Sequence, residues 1–340
     1  MTTKILAGGT SSFAIVDGRL YAWGGNGSYQ LGLGDRETRE RPTLVDKDSG
    51  WEAISGGGAF TVGIKNGSLY SWGNNYSGQL GLGDLDRCLT PTRVGNHSDW
   101  THVSASKTHT LAIRGGKVFA WGSNWRGEAA LEGFGNEIPP TQVGEDSSWT
   151  HISAGGNSSF AIREGKLFSW GDNAEGQLGR SVRGKTFIPL QVGDSSKWTE
   201  ISAGVGFVLG ICGDNLLHWG TFLRANNGEK TLKHTKRRPE PLEGRLDWSA
   251  VSCGEDAAIM ISNGSGVIFN AWETVSEGAL EASSLNRVDE DFTWESVSAG
   301  RQHFLAVKNG RVYSWGQGSG MRLGLGDEIS RPNPTLIEFP

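Results

Sequence analysis

The chain has 340 residues, with 52 glycines, 14 tryptophans, three cysteines and a net charge of −5. So many tryptophans exclude a disordered chain, and the negative balance argues against generic affinity for nucleic acid. Cys88, Cys212 and Cys253 fall at non-equivalent positions and make no disulfide framework, and no run approaches the roughly 18 apolar residues of a spanning helix.

The chain repeats itself from its first residues. A short apolar run ending in tryptophan recurs at Trp23, Trp72, Trp121, Trp170, Trp219, Trp272 and Trp315, at intervals of 49, 49, 49, 49, 53 and 43 residues. A second series, at Trp51, Trp100, Trp149, Trp198, Trp248 and Trp294, steps by 49, 49, 49, 50 and 46. Met1 to Val16 therefore reads as strands of unit one rather than as a signal peptide.

Unit two shows the plan. Trp51 to Ser55, Phe60 to Ile64 and Leu69 to Trp72 read as strands, with Lys65-Asn66-Gly67 as a tight hairpin signal. A polar, glycine-spaced loop then leads to a fourth strand at Pro91-Thr92-Arg93-Val94. Small pairs such as Ser55-Gly56 and Ala154-Gly155 mark a crowded innermost strand, and prolines fall on the outermost strand, where a missing N–H is tolerated. Residues 1–340 are thus expected to form one all-β domain, a seven-bladed β-propeller of four-stranded antiparallel blades. Unit one is read as lacking its own Pro-x-x-Val strand, so the C-terminal Pro334-Thr335-Leu336-Ile337 is expected to complete blade one and close the ring.

The glycine loop is intact as Gln30-Leu31-Gly32-Leu33-Gly34-Asp35, as Gln79 to Asp84 and as Leu323 to Asp327. Unit four keeps only Gly176-Gln177-Leu178-Gly179, and units three, five and six read as having lost it. The varied arc is the better candidate for a docking surface. Unit three carries the one tryptophan out of register, Trp125, beside Arg126 and before Phe134, which is a plausible interface anchor or else a side chain folded onto its own blade. Gly179 to Thr186 fits Gly-x4-Gly-Lys-Thr, but the next run reads as a strand where a phosphate-binding loop needs a helix. Unit five carries Arg224, Lys230, Lys233, Lys236, Arg237 and Arg238, and unit six the acids Glu273, Glu277, Glu281, Asp289, Glu290 and Asp291. The bland reading of both is a solvated charge run. The alternatives are attraction between the two loops, head-to-tail association of copies, or a phosphate-rich partner for the basic loop. Among the seven histidines, His102 and His151 share one repeat position, and none sits in a sequence cluster typical of metal ligands.

The pattern Trp-x-x-Ile-Ser-Ala-Gly…Gly-x-Leu-Tyr-Ser-Trp-Gly-x-Asn…Gly-Gln-Leu-Gly-Leu-Gly-Asp…Pro-x-x-Val resembles the regulator-of-chromosome-condensation repeat over residues 4–340. The resemblance implies a seven-bladed propeller but fixes no function. The family's founding member is an exchange factor for a small nuclear GTPase and binds nucleosomes, using a basic N-terminal tail and an inserted β-hairpin wedge. Here unit one begins by Ile5, and the even spacing is read as leaving no room for a wedge in units one to five. The plant ultraviolet-B photoreceptor of the family senses with Gly-Trp-Arg-His-Thr motifs, and the corresponding Gly57-Gly58-Ala59 and Gly300-Arg301-Gln302-His303 hold no tryptophan. The expected role is a non-catalytic protein-interaction or structural module of a larger assembly, possibly a virion, with regulation of a small GTPase as the alternative. Other proteins of that assembly are the expected partners, with no membrane, cofactor or metal, nucleic acid disfavoured, and a cytoplasmic or virion-associated location.

Overall fold

The computed structural model describes residues 3–131, 136, 139–181, 183–226, 230–242, 247–255, 257–270, 286–288 and 293–340, of which 222–226, 230–234, 269–270 and 286–287 are described by their backbone alone. Among these residues the chain forms seven four-stranded antiparallel sheets, each built from consecutive strands. Blade two comprises Trp51–Gly56, Phe60–Lys65, Ser68–Gly73 and Cys88–Arg93, in that order from the axis outwards. Its central hairpin turns at Asn66-Gly67, both with positive φ (48° and 68°), the primed geometry that matches the strand twist. The second strand is buried on both faces, Phe60, Val62 and Ile64 on one and Thr61 and Gly63 on the other, because each blade is sandwiched between two others.

Three contacts join one blade to the next. The first is at the axis. A serine hydroxyl on the first strand accepts the backbone N–H of the neighbouring first strand: Ser55 from Ala105, Ser104 from Ala154, Ser153 from Ala203, Ser202 from Cys253, Ser252 from Ala299 and Ser298 from Ala7, at 2.8–3.0 Å. At the remaining junction Leu6 replaces the serine, and its Cδ2 lies 3.2 Å from where a Cβ on Gly56 would stand. The glycine at 56 is the space this leucine needs.

The second contact uses the register tryptophans. Trp72 Nε1 donates to the Gln30 carbonyl of blade one at 2.8 Å, Trp121 to Gln79 at 2.8 Å, Trp170 to Glu128 at 3.0 Å and Trp219 to Gln177 at 2.8 Å. At three of these junctions the same carbonyl accepts a second bond, from Thr61, Thr110 or Ser159. The third contact is steric. The loop glycine of one blade lies flat on the indole of the next, so that a Cβ on Gly81 would stand 2.7 Å from Trp121 Nε1.

The ring does not close as expected. Blade one owns a fourth strand, Arg39–Leu44, so Pro42-Thr43-Leu44-Val45 is the Pro-x-x-Val element thought missing. The C-terminal strand Arg331–Leu336 pairs with Arg311–Gly316 inside blade seven, leaving no exchanged strand at the seam. The seam instead uses the contacts of the junctions from blade one to blade five: Trp23 Nε1 and Ser12 Oγ both donate to the Arg322 carbonyl, at 3.1 and 2.8 Å, and Gly326 N donates to Glu40 O at 3.0 Å. Phe339 adds edge-on contacts to Tyr21 and Trp23, and Ile337 is buried beside them. The last residues thus touch blade one through side chains, without joining its sheet.

A matched pair of substitutions tests the steric clamp at the seam. Gly324 and Gly310 have nearly the same φ, +71° and +70°, but an added Cβ meets Trp23 Nε1 at 2.6 Å at Gly324 and nothing within 4 Å at Gly310. Gly310→Ala should cost about 1 kcal/mol of backbone strain, and Gly324→Ala about 1–3 kcal/mol more. Equal losses in thermal melting would remove the clamp from the account.

Candidate functional site

Strand direction puts the connections between first and second strands, and between third and fourth strands, on one face of the ring. The loops there are built to be rigid. In blade two, Asn75 Oδ1 accepts Leu80 N at 2.9 Å while its Nδ2 donates to Asp84 O at 2.8 Å, and Gln79 Oε1 accepts Ser77 N at 2.7 Å. Asn26 repeats this in blade one and Asn173 in blade four. Unit three has not lost the loop. Asn124 Oδ1 accepts Ala129 N at 3.1 Å, buried Glu128 takes the glutamine's place, and Ala130 adopts φ 51° where the other units have glycine. The varied arc is therefore narrower than its sequence implied and begins at blade five.

Loop closure is partly electrostatic. Asp35 in blade one and Asp327 in blade seven each bond an arginine four residues on, Arg39 at 2.6 Å and Arg331 at 2.8 Å, and these bonds hold both carboxyls below their ordinary value.

At the centre of this face a cavity of about 180 Å³ opens along the axis, lined by the small residues of the first strands. Three charged side chains close over it. Lys107 Nζ of blade three and Arg301 Nε of blade seven reach one oxygen of Glu255 in blade six, at 3.3 and 3.5 Å. Deeper along the axis, towards the opposite face, stand Lys4, His102, His151 and Glu200. Burial first, then the charges of His151 and Lys4, hold His102 below its usual pKa, and burial raises Glu200. No group of three or more His, Cys, Asp or Glu residues among those described is placed to hold a metal.

Blade five departs most from the plan. Its third and fourth strands, Asn215–Asn226 and Lys230–Pro241, run twelve residues each and pair out to Asn226↔Lys230. They form a β-hairpin rising from the loop face in place of the compact glycine loop. The even repeat length does leave room for such a projection, because residues that coil into a loop elsewhere are here spent on extended strands. Asn226-Asn227-Gly228, a turn signal between two strand-like runs, was the legible sign.

The sequence candidates fall as follows. Trp125 is 61 % exposed at a loop tip, one blade from Tyr76, which holds the equivalent position and is 69 % exposed. Arg126 is exposed beside Trp125, and its backbone N–H donates to Glu128 Oε2. Phe134 lies outside the described residues. Arg224, Lys230 and Lys233 sit on the projecting hairpin, where only the backbone is described. Lys236 is committed to Glu240 at 2.5 Å, while Arg237 and Arg238 lean on the loop of blade four. The acids Glu273, Glu277, Glu281, Asp289, Glu290 and Asp291 lie outside the described residues, so attraction between the blade-five and blade-six loops has no geometry to rest on. Lys185 of the Gly-x4-Gly-Lys-Thr stretch donates to the Trp125 carbonyl at 3.2 Å and lies over the Phe187 ring, and strand Thr186–Gln191 follows it. That stretch is a blade-to-blade tie, not a nucleotide loop.

Sequence reasoning missed two fully buried histidines. His109 and His303 begin the second strands of blades three and seven, where Phe60 and Phe207 stand in blades two and five. Ser12 and Ser159 each give their proton to a loop carbonyl, so His303 Nε2 and His109 Nε2 must donate to these hydroxyls, at 2.8 and 2.9 Å. Burial pushes the pKa of each ring down to about 3, with Arg322 adding to the effect at His303, so both rings are neutral at pH 7.

Fold and loop face together define a seven-bladed propeller of the chromosome-condensation-regulator type. The family model described as "Regulator of chromosome condensation (RCC1) repeat" matches residues 17–64, 66–113, 164–211 and 309–340, and the chain belongs to this family. It is similar to human WBSCR16 (TM-score 0.80, 19 % identity, 95 % of this chain and 94 % of that one) and to Prp20p of Saccharomyces cerevisiae (TM-score 0.78, 22 % identity, 98 % and 87 %). At those identities the likeness establishes the fold alone. It is also 32 % identical over 138 residues to the serine/threonine-protein kinase Nek8 of Danio rerio, a match covering 34 % of this chain but only 18 % of the kinase.

The buried histidines give the fold an acid limit. Their folded value of about 3 lies below the unfolded value of 6.5, so between those limits the unfolded chain binds more protons. Stability is complete above pH 6.5 and falls as pH drops towards 3. Replacing both with phenylalanine should lower the melting temperature at pH 7, by the loss of three hydrogen bonds, two from His109 and one from His303, worth about 1 kcal/mol each, yet flatten the fall between pH 7 and pH 4. A double variant as acid-sensitive as the parent would acquit these two residues.

Proposed function

We propose that this propeller is a non-catalytic protein-interaction module that regulates a small GTPase, gripping it across the loop face with the blade-five hairpin. The single observation carrying this reading is the hairpin, which among the described residues is the one loop-face element that leaves the repeat plan as paired strands. The family's founding member works as an exchange factor through such an inserted hairpin, and the absence of one was the sequence argument against exchange. The Prp20p structure is described together with that protein's binding to Gsp1p and histones, which fits a protein-docking role for the fold. Tyr76 and Trp125 on blades two and three, and the Lys107–Glu255–Arg301 clasp at the axis, supply aromatic and charged contacts on the same face. An assembly-subunit role shares this docking logic but has no feature of its own in support. The expectation of a virion has none either.

The test is release of a fluorescent guanine nucleotide from a panel of small GTPases, with the intact chain and with a variant in which residues 222–234 are replaced by a short Gly-Ser turn. At least one GTPase should lose nucleotide roughly tenfold or more faster, and the shortened variant should lose most of that effect while keeping its melting temperature. No stimulation across the panel, with higher-order species on sizing, would replace this reading with assembly.

A further inference from the structure

The junction of blades four and five gathers more cations than acids. The outer strand of blade five lies on the loop of blade four so closely that a Cβ on Gly176 would stand 3.0 Å from Arg237 Cγ. Arg237 Nη2 donates to the Ala174 carbonyl at 3.2 Å, and Arg238 Nε donates to Ser181 Oγ. Arg180 precedes that serine, and Arg183 follows it, exposed. Of the neighbouring acids, Glu240 is paired with Lys236 at 2.5 Å, and Glu175 Oε2 accepts the Thr221 hydroxyl at 3.0 Å, so at most one carboxylate stands against four arginines. Among the described residues no carboxylate oxygen comes within 4.0 Å of a guanidinium nitrogen of Arg180, Arg183, Arg237 or Arg238.

Two of these groups are also short of acceptors. Arg180 Nε and Arg237 Nη1 are buried atoms with no hydrogen-bond partner among the described residues. Half-burying a guanidinium and leaving one of its N–H groups unsatisfied is costly, and burial already holds Arg180 below its ordinary pKa. An anion seated here would satisfy both orphan donors and relieve the repulsion among four like charges. Charge accounting chooses the anion. A carboxylate cancels one positive charge, whereas a phosphate monoester carries close to two and offers three acceptor oxygens to planar guanidinium forks. Ser181 Oγ supplies a further polar contact at the rim.

We propose that this inter-blade cleft, formed by Arg180, Ser181, Arg183, Arg237 and Arg238, is a binding site for a phosphate monoester. It is distinct from the Gly-x4-Gly-Lys-Thr reading of the same stretch, because the lysine of that motif is turned away to Trp125. It also stands apart from the GTPase reading, since the donors come from the base of the hairpin and from blade four rather than from the projecting tip.

The test is calorimetric titration of the full chain, at fixed chloride concentration, with inorganic phosphate, with a Gly-phosphoserine-Gly peptide and with the unphosphorylated peptide. Both phosphate-bearing probes should bind and the unphosphorylated peptide should not. The R180Q/R237Q variant should weaken both roughly tenfold or more, and R238Q, at an exposed residue, roughly threefold to tenfold. R163Q on the opposite face, where Arg163 pairs with Asp146, should leave affinity unchanged. A phosphopeptide held roughly tenfold tighter than inorganic phosphate supports a site for protein-borne phosphate, and equal affinities support a site for free phosphate. If neither probe binds, or if R180Q/R237Q and R238Q both keep full affinity with unchanged melting temperature, the proposal is overturned.

Discussion

The structure depends on one interaction repeated around a ring: an indole N–H given to a backbone carbonyl in the preceding blade's loop. In blades one to four that carbonyl belongs to a residue whose loop is stapled by a buried asparagine, so each of these blades stiffens the loop against which the next blade's tryptophan rests. The glycine lying on the indole face follows from the same contact, since a side chain there would occupy the space of the ring. The tryptophan, asparagine and glycine of units one, two and four thus meet one requirement. The N–H of Trp315, behind blade six, is buried without an acceptor among the described residues, and the loop of blade six that precedes it lies outside them.

Much of this was legible because the interaction is periodic. The tryptophan intervals gave the blade number, and the small residues gave the inner strand. The closure was misread because Pro42-Thr43-Leu44-Val45 was overlooked, which left Pro334 to Ile337 without a place except in blade one. Physically, the seam needs no exchanged strand, since Trp23 on Arg322 and Ser298 on Ala7 make bonds that recur at other junctions of the ring. The loop of blade three was hidden for another reason. Glu128 and Ala130 preserve the backbone path of a glutamine–glycine loop while changing its letters, and a backbone carbonyl is the group that the indole recognises.

The candidate site was less legible. Trp125 and the arginines of unit five stood out as exceptions to the repeat, and the structure keeps Trp125 and Arg238 exposed at the loop face. The hairpin was dismissed because repeat length was taken as a measure of protrusion. The axial clasp was invisible, since Lys107, Glu255 and Arg301 converge only when the ring closes. Together these features divide the molecule. Blades seven, one, two, three and four use one clamp design and form the stiff part of the wheel, while blade five replaces it with a projecting element beside an uncompensated cationic cleft. A partner is offered loops fixed on a rigid frame, which lowers the ordering cost of binding.

The direct measurement is hydrogen exchange of the indole N–H groups by nuclear magnetic resonance, resolved for each tryptophan. The account predicts that Trp23, Trp72, Trp121, Trp170 and Trp219 exchange together and slowly, with Trp23 at the seam as protected as the four inside the chain. If Trp23 exchanged well ahead of the other four, the seam would be a weaker kind of junction, and a wheel held by one repeated contact would be the wrong description.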